Sequence, residues 1–274
     1  MTIQVRNRFV IAFLLLSILS IGITGGFALR MSLTGEMQEP SQSILAAVQG
    51  TAPAFFAYRF YAVVCSVCFL VISVPVITCL MIFNFEKTQA QEYVFFMFFL
   101  GACLTEISRL FIPVFGLWEN NSSFLISSAR ILLFGRMLAP ASFLFPVLFS
   151  SARQNQDTER NVIALVALSG VFAVLTPVNT AHILPNCTVE TGQATLFTFY
   201  VAIMYILSFL SLAIMARHGG REQRLMTLGY AILFAGYLIL TGALSFGAFV
   251  VGAVFFVTGV YAYLGNLHKL YMWN

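Results

Sequence analysis

Four ionisable side chains lie inside long apolar runs of this 274-residue chain: Glu106, Arg109, Arg130 and Arg136. Charged groups at membrane depth are costly and mark functional sites by default. A carboxylate among guanidiniums can form an ion pair or take part in proton transfer, and the planar arginine fork captures carboxylates and phosphates. Glu106 and Arg109 are three residues apart, so they share a helix face with Ala102 and Pro113.

Depth follows from the 1.5 Å helical rise. If the third span ends near Leu117, Glu106 lies ~16 Å and Arg109 ~12 Å below that boundary. The fourth span starts near Phe124 on the same side, which places Arg130 ~9 Å and Arg136 ~18 Å down. The two spans form an antiparallel hairpin, so Glu106 comes level with Arg136 and Arg109 with Arg130. A Glu106–Arg136 ion pair in the bundle interior is expected. With one carboxylate facing three guanidiniums, the cluster carries a surplus of positive charge that low dielectric disfavours by several kcal/mol per ion. Water, backbone carbonyls, lipid phosphates or an anionic ligand are the candidate compensators. Pro140 and Pro146 remove the helical partners of the Arg136 and Ser142 carbonyls, as suits a cavity-lining helix. The plainer alternative is structural: Arg109 and Arg130 snorkel to headgroups, and Glu106–Arg136 fixes helix register.

Other chemistries find little footing. His182, His218 and His268 are scattered over three segments, which builds no metal site. The only lysines, Lys87 and Lys269, fall at span boundaries, so no buried lysine serves a Schiff base. Cys65 and Cys68 have CxxC spacing but sit mid-helix in an apolar stretch, as small core residues do. No cofactor and no nucleic-acid partner is expected. Asn120, Asn121 and Asn186 head glycosylation sequons on the expected outer side.

The elements that position the charges are set by composition. Hydrophobic residues make up 60% of the chain and charged residues 9%, with a mean hydropathy of +0.92. This is too little charge to cover a water-facing surface, so the expected fold is all-α, a polytopic transmembrane helical bundle of seven or eight spans. Spans read near 9–29, 59–84, 93–116, 124–150, 162–181, 195–216, 225–242 and 245–266. Residues 1–29 are a signal anchor or a cleavable signal peptide: Arg6 and Arg8 precede an apolar core, and Gly26-Phe27-Ala28 offers a small-x-small pattern. Residues 30–58 are a short outer segment with a helix-like stretch from Ser43 to Gln49, and 59–274 a seven-helix transmembrane bundle. Gly229 and Gly236, like Gly252 and Gly259, are seven apart and suit close packing of the last two helices. Tyr230 and Tyr237 repeat that interval and read as packing residues too.

With eight spans and the N-terminus inside, the inner segments collect Arg6, Arg8, Lys87, Arg153, Arg160, Arg217, Arg221, Arg224 and Lys269. The outer segments collect Arg30 and Arg59. This bias expects a multi-pass protein of the cell membrane with a cytoplasmic C-terminus. No loop is long enough to bury a core of its own, so no soluble catalytic or DNA-binding domain is present between spans.

Three functions fit. Without its first span the layout resembles the bacterial seven-helix sensory input domains, an analogy of architecture that carries no shared motif. In that reading the Glu/Arg cluster binds an anionic small molecule or lipid headgroup. A cytoplasmic signalling partner then reads the signal, with the basic segment Arg217–Arg224 as one contact. A transporter or channel for a small anionic or polar solute is the alternative, with Arg130 and Arg136 lining the path. An intramembrane lipid-modifying enzyme using Glu106 as acid or base is the third.

Overall fold

The computed structural model describes residues 3–34, 40, 53, 55–85, 91–118, 123–150, 158–218 and 220–272. The stretch from Ser43 to Gln49, the sequon positions Asn120 and Asn121, and the basic residues Lys87 and Arg153 lie outside the described residues. The elements run α1 (Ile3–Thr34), α2 (Phe60–Phe85), α3 (Gln91–Thr105), a 3-10 segment (Glu106–Leu110), α4 (Phe111–Phe115) and α5 (Ser123–Ser150). They continue with α6 (Thr158–Leu175), β1 (Val178–Leu184), β2 (Thr188–Thr191), α7 (Ala194–His218), α8 (Arg221–Thr241) and α9 (Phe246–Met272). Among the described residues eight helical segments are long and apolar enough to cross a membrane. The chain is a polytopic helical bundle, and α3, the 3-10 segment and α4 together make one span.

Burial ranks the spans. The span from Glu92 to Phe115 is 72% buried and that from Ser123 to Pro146 61%, against 22% for Thr158–Leu175 and 11% for Ala194–Ile214. The two spans that carry the charges are therefore the bundle's centre. Lipid is as apolar as a leucine side chain, so helices associate by van der Waals packing rather than by hydrophobic burial. Here that packing is aromatic. Phe99 meets Phe143, Phe234 and Tyr237 at ring-centroid separations of 5.2, 5.8 and 5.6 Å, and Phe96 stacks on Tyr263 at 5.3 Å. Hydroxyls in this setting turn back on their own helices: Ser66 donates to Val63 O at 2.7 Å and Thr78 to Val74 O at 2.8 Å. No water is needed to satisfy them.

α8 and α9 form the tightest pair. A Cβ on Gly236 would collide with the backbone of Phe256, and one on Gly259 with the backbone of Leu233. A Cβ on Gly229 would stand 2.6 Å from Tyr263 N. Gly252 instead faces the side chains of Leu240 and Ile239. Gly229, Gly236 and Gly259 thus lie where the two backbones touch, and Gly252 where α9 meets side chains of α8.

α1 is not isolated. Arg6 lies over the Tyr93 ring at 5.2 Å, Phe9 stacks on Phe98 at 5.8 Å, and Phe27 meets Phe111 and Phe115 edge-on at 5.8 and 5.9 Å.

One part of the sequence reading needs correction. The fifth span was expected to reach residue 181, but α6 stops at Leu175, before Pro177, and an antiparallel β-hairpin follows. Proline disfavours helix in the residue before it, and the β-branched Val178, Thr180 and Ile183 after Pro177 suit a strand. β1 and β2 pair Val178 with Thr191 and Leu184 with Thr188, with an irregularity between Asn179 and Ile183. His182, placed at a helix end from sequence, is exposed on β1. The connection Pro185-Asn186-Cys187 ends in a left-handed residue, Cys187 at φ 58°, whose N–H donates to Leu184 O at 3.0 Å. A three-residue loop closing on a left-handed position is a common hairpin geometry. Ile183 and Val189 seat the hairpin on Ile112, Leu117, Leu125 and Ala129, and Cys187 packs against Phe60 and Val63.

Candidate functional site

Proline creates the local backbone of the site. Pro113 has no N–H to offer the carbonyl of Arg109, and its ring crowds that carbonyl. The chain answers by tightening into the 3-10 segment Glu106–Leu110, with Phe111 N donating to Ser108 O. At three residues per turn, side chains three apart eclipse one another. Glu106 and Arg109 are therefore stacked rather than merely on one face, and Arg109 Nη1 sits 3.2 Å from Glu106 Oε2.

A close approach of α5 adds the third ion. A Cβ on Gly135 would stand 2.8 Å from Thr105 Cβ and 3.1 Å from Ala102 O. Glycine there lets α5 lie against the end of α3, which brings Arg136, the next residue, to Glu106. Arg136 Nε stands 3.4 Å from Glu106 Oε1. Tyr237 of α8 completes the carboxylate's surroundings, its hydroxyl 3.5 Å from the same oxygen.

Arg109 is fully buried, and its outward partner is the hairpin. Nε and Nη2 donate to the backbone carbonyl of Asn186 at 2.9 and 2.7 Å. The Asn186 side chain holds the loop from within, accepting from Thr188 Oγ1 at 2.7 Å, and Tyr58 donates to Pro185 O at 3.1 Å. The hairpin loop is thus fastened on the charge cluster through Arg109. Cys187, beside this clamp, has a thiol raised to about 12: burial outweighs the opposing pull of the Arg109 guanidinium.

The structure brings together Glu106, Arg109 and Arg136 and leaves Arg130 out. Arg130 is exposed and has no ion-pair partner among the described residues. Six residues at 100° each carry it about 120° away from Arg136 around α5. Equal height therefore did not make it a neighbour of Arg109.

Charge accounting is now sharper. Glu106 has both oxygens engaged and is fully buried. Arg109 has Glu106 and a carbonyl. The Arg136 side chain is 25% exposed, and its Nη1 and Nη2 donate to no acceptor among the described residues. Two guanidiniums against one carboxylate leave one formal positive charge, located at the open tip of Arg136.

Sequence reasoning missed three participants: the Asn186 carbonyl, Tyr237 and Ser208. Ser208 of α7 donates to Pro140 O at 3.0 Å, one helical turn beyond Arg136, and to Met204 O at 2.7 Å. Tyr237 was visible as a stripe residue. Its polar end became informative only once α8 was placed across from Glu106. No protein-family model matches the sequence, and no curated protein is detectably similar to it.

Proposed function

We propose that this protein is a receptor-like sensory membrane module that binds an anion at Arg136, beside the Glu106–Arg109 pair. The observation that carries the reading is the open Arg136 tip: two donor nitrogens without acceptors among the described residues, in the second most buried span, next to a carboxylate whose oxygens are already engaged. A carboxylate or phosphate oxygen pair matches that fork bidentately and neutralises the surplus charge. The hairpin favours sensing, because Arg109 ties a segment at one end of the bundle to the ion cluster in its middle. An anion that draws Arg136 away from Glu106 changes the partners of Arg109, and with them the seat of the hairpin. At the other end, Arg217, Arg221 and Arg224 are exposed and suit an acidic partner.

A transporter for a small anionic solute is the second reading. It is favoured by the 3-10 interruption at the level of the charges, since broken helices near the midplane form the substrate sites of many transporters.

The test is the melting temperature of purified protein in phosphatidylcholine nanodiscs against a series of carboxylates and phosphates. A ligand that raises the melting temperature of the native protein and leaves an Arg136→Gln variant unmoved supports the proposal. A variant that melts normally and responds to every anion as the native protein does removes it.

A further inference from the structure

We infer that the anion reaches Arg136 from within the bilayer, and that the ligand is a single-chain amphiphile with an anionic head, of the long-chain carboxylate kind. This rests on the reading of Arg136 as an anion site and concerns the route and class of the ligand.

Both axial routes to Arg136 are filled among the described residues. Toward the hairpin end, Arg109 and Cys187 are each 1% exposed, Cys187 packs with Phe60 and Val63, and Ile112, Leu117, Leu125 and Ile183 pack together under the hairpin. The Arg109 clamp on Asn186 O fixes that cover in place. Toward the opposite end lies a continuous aromatic layer. Phe143 meets Tyr230 at 4.7 Å and Phe234 at 5.3 Å, Phe99 meets Phe143 at 5.2 Å, and Phe96 meets Tyr263 at 5.3 Å. A quarter of the Arg136 side chain is nevertheless open. Sideways, toward lipid, is the direction left.

The neighbouring helices suit such an opening. α6 and α7 both pack on α5 and are the least buried spans along with α1. The ring contact between them, Phe172 on Tyr200 at 5.9 Å, joins the end of α6 to the start of α7, beneath the hairpin. Farther along α7, Tyr205 stands within electrostatic reach of Arg136, and Ser208 bonds to α5 at Pro140. Tyr205, part-exposed, thus puts a phenol on the α7 flank of Arg136, and the buried Ser208 ties that flank to α5. A water-soluble anion crossing acyl chains to this point would have to shed its hydration unaided. An amphiphile must shed the hydration of its head as well, but its chain already concentrates it in the bilayer, each buried methylene adding to that partition.

The experiment compares palmitate, methyl palmitate, acetate and inorganic phosphate as stabilisers of the native protein in phosphatidylcholine nanodiscs. Palmitate and its methyl ester share the chain and differ in the charge, so the comparison needs no variant. Palmitate is expected to raise the melting temperature saturably, at least about tenfold lower in concentration than acetate, because its chain concentrates it in the bilayer. Methyl palmitate is expected to give no shift, and Arg136→Gln to abolish the palmitate shift. Equal shifts from palmitate and its ester would overturn the inference by showing that the head is not read. Arg136-dependent shifts from acetate or phosphate at concentrations equal to palmitate's would overturn the lipid route while leaving the anion site standing. No shift from any of the four would overturn both.

Discussion

Replacing Glu106 by Gln keeps the shape of the site and removes the only negative charge it holds among the described residues. Two unit charges 3.2 Å apart, the separation of Arg109 Nη1 and Glu106 Oε2, attract by about 5 kcal/mol at an effective dielectric of about 20. Breaking a buried pair from one side costs about 3–5 kcal/mol. The glutamine oxygen still accepts one hydrogen bond and Arg109 keeps the Asn186 carbonyl, so the lower end applies: about 3 kcal/mol. Arg136→Gln should cost no more than about 1 kcal/mol, because its contact is longer, 3.4 Å, and its side chain is 25% exposed. Reversible unfolding in mixed micelles gives both numbers. A Glu106→Gln loss below about 0.5 kcal/mol, the size expected of ordinary surface substitutions, would refute the reasoning, since a fully buried carboxylate between two guanidiniums cannot be that cheap to neutralise.

Further outcomes follow from the same structure. Gly259→Leu, which must displace the backbone at Leu233, should lower stability by about 3 kcal/mol or prevent accumulation, whereas Gly265→Ala, with open space at its Cβ, should melt like the native protein; size-exclusion profiles and melting curves report both. Cys187 should stay unmodified by maleimide at pH 8 in the folded protein, since its thiol is held up to about 12, and peptide mass spectrometry reads this. A raised folded value also means that the stability tied to this thiol is present below its ordinary value of 9.0 and is lost as pH climbs from there toward about 12. Expressed from Met1 to Asn274, the purified chain should keep its first span and the 30.3 kDa mass of those 274 residues, because Phe27, in the small-x-small segment, is packed on Phe111 and Phe115; a shortened N-terminus in the intact mass spectrum would contradict this. Arg130→Gln should change stability by less than about 0.5 kcal/mol in the unfolding assay.

How much was legible in the sequence differs from residue to residue. Helix existence was, because uninterrupted apolar runs have one solution in lipid. The matching height of Glu106 and Arg136 on neighbouring helices was, because rise per residue is fixed. Azimuth was not: Arg130 and Arg109 were matched by height alone, and the 100° step that turns Arg130 outward was left out. The 3-10 segment was available in principle. The proline argument made at Pro140 and Pro146 applies equally at Pro113, and there it lands on the Arg109 carbonyl. The hairpin carried a weaker signal, Pro177 and Pro185-Asn186 flanking a short run with the β-branched Val178, Thr180 and Ile183, and a hydropathy window blurs such a signal into the preceding helix. The bond from Arg109 to Asn186 O spans 77 residues and involves a backbone atom, so no side-chain pattern announces it. The glycine spacing in α8 and α9 was readable because a backbone contact has a compositional requirement.

The register of α3 on α5 holds the rest, and a double-mutant cycle tests it. Glu106→Gln and Arg136→Gln are introduced singly and together, and each protein is unfolded reversibly in mixed micelles. The two changes should couple by at least about 0.5 kcal/mol, because the side chains stand 3.4 Å apart, while Glu106→Gln and Arg130→Gln should add independently. A folded protein in which the 106 and 136 changes simply add while the 106 and 130 changes couple would mean that Glu106 and Arg136 do not meet.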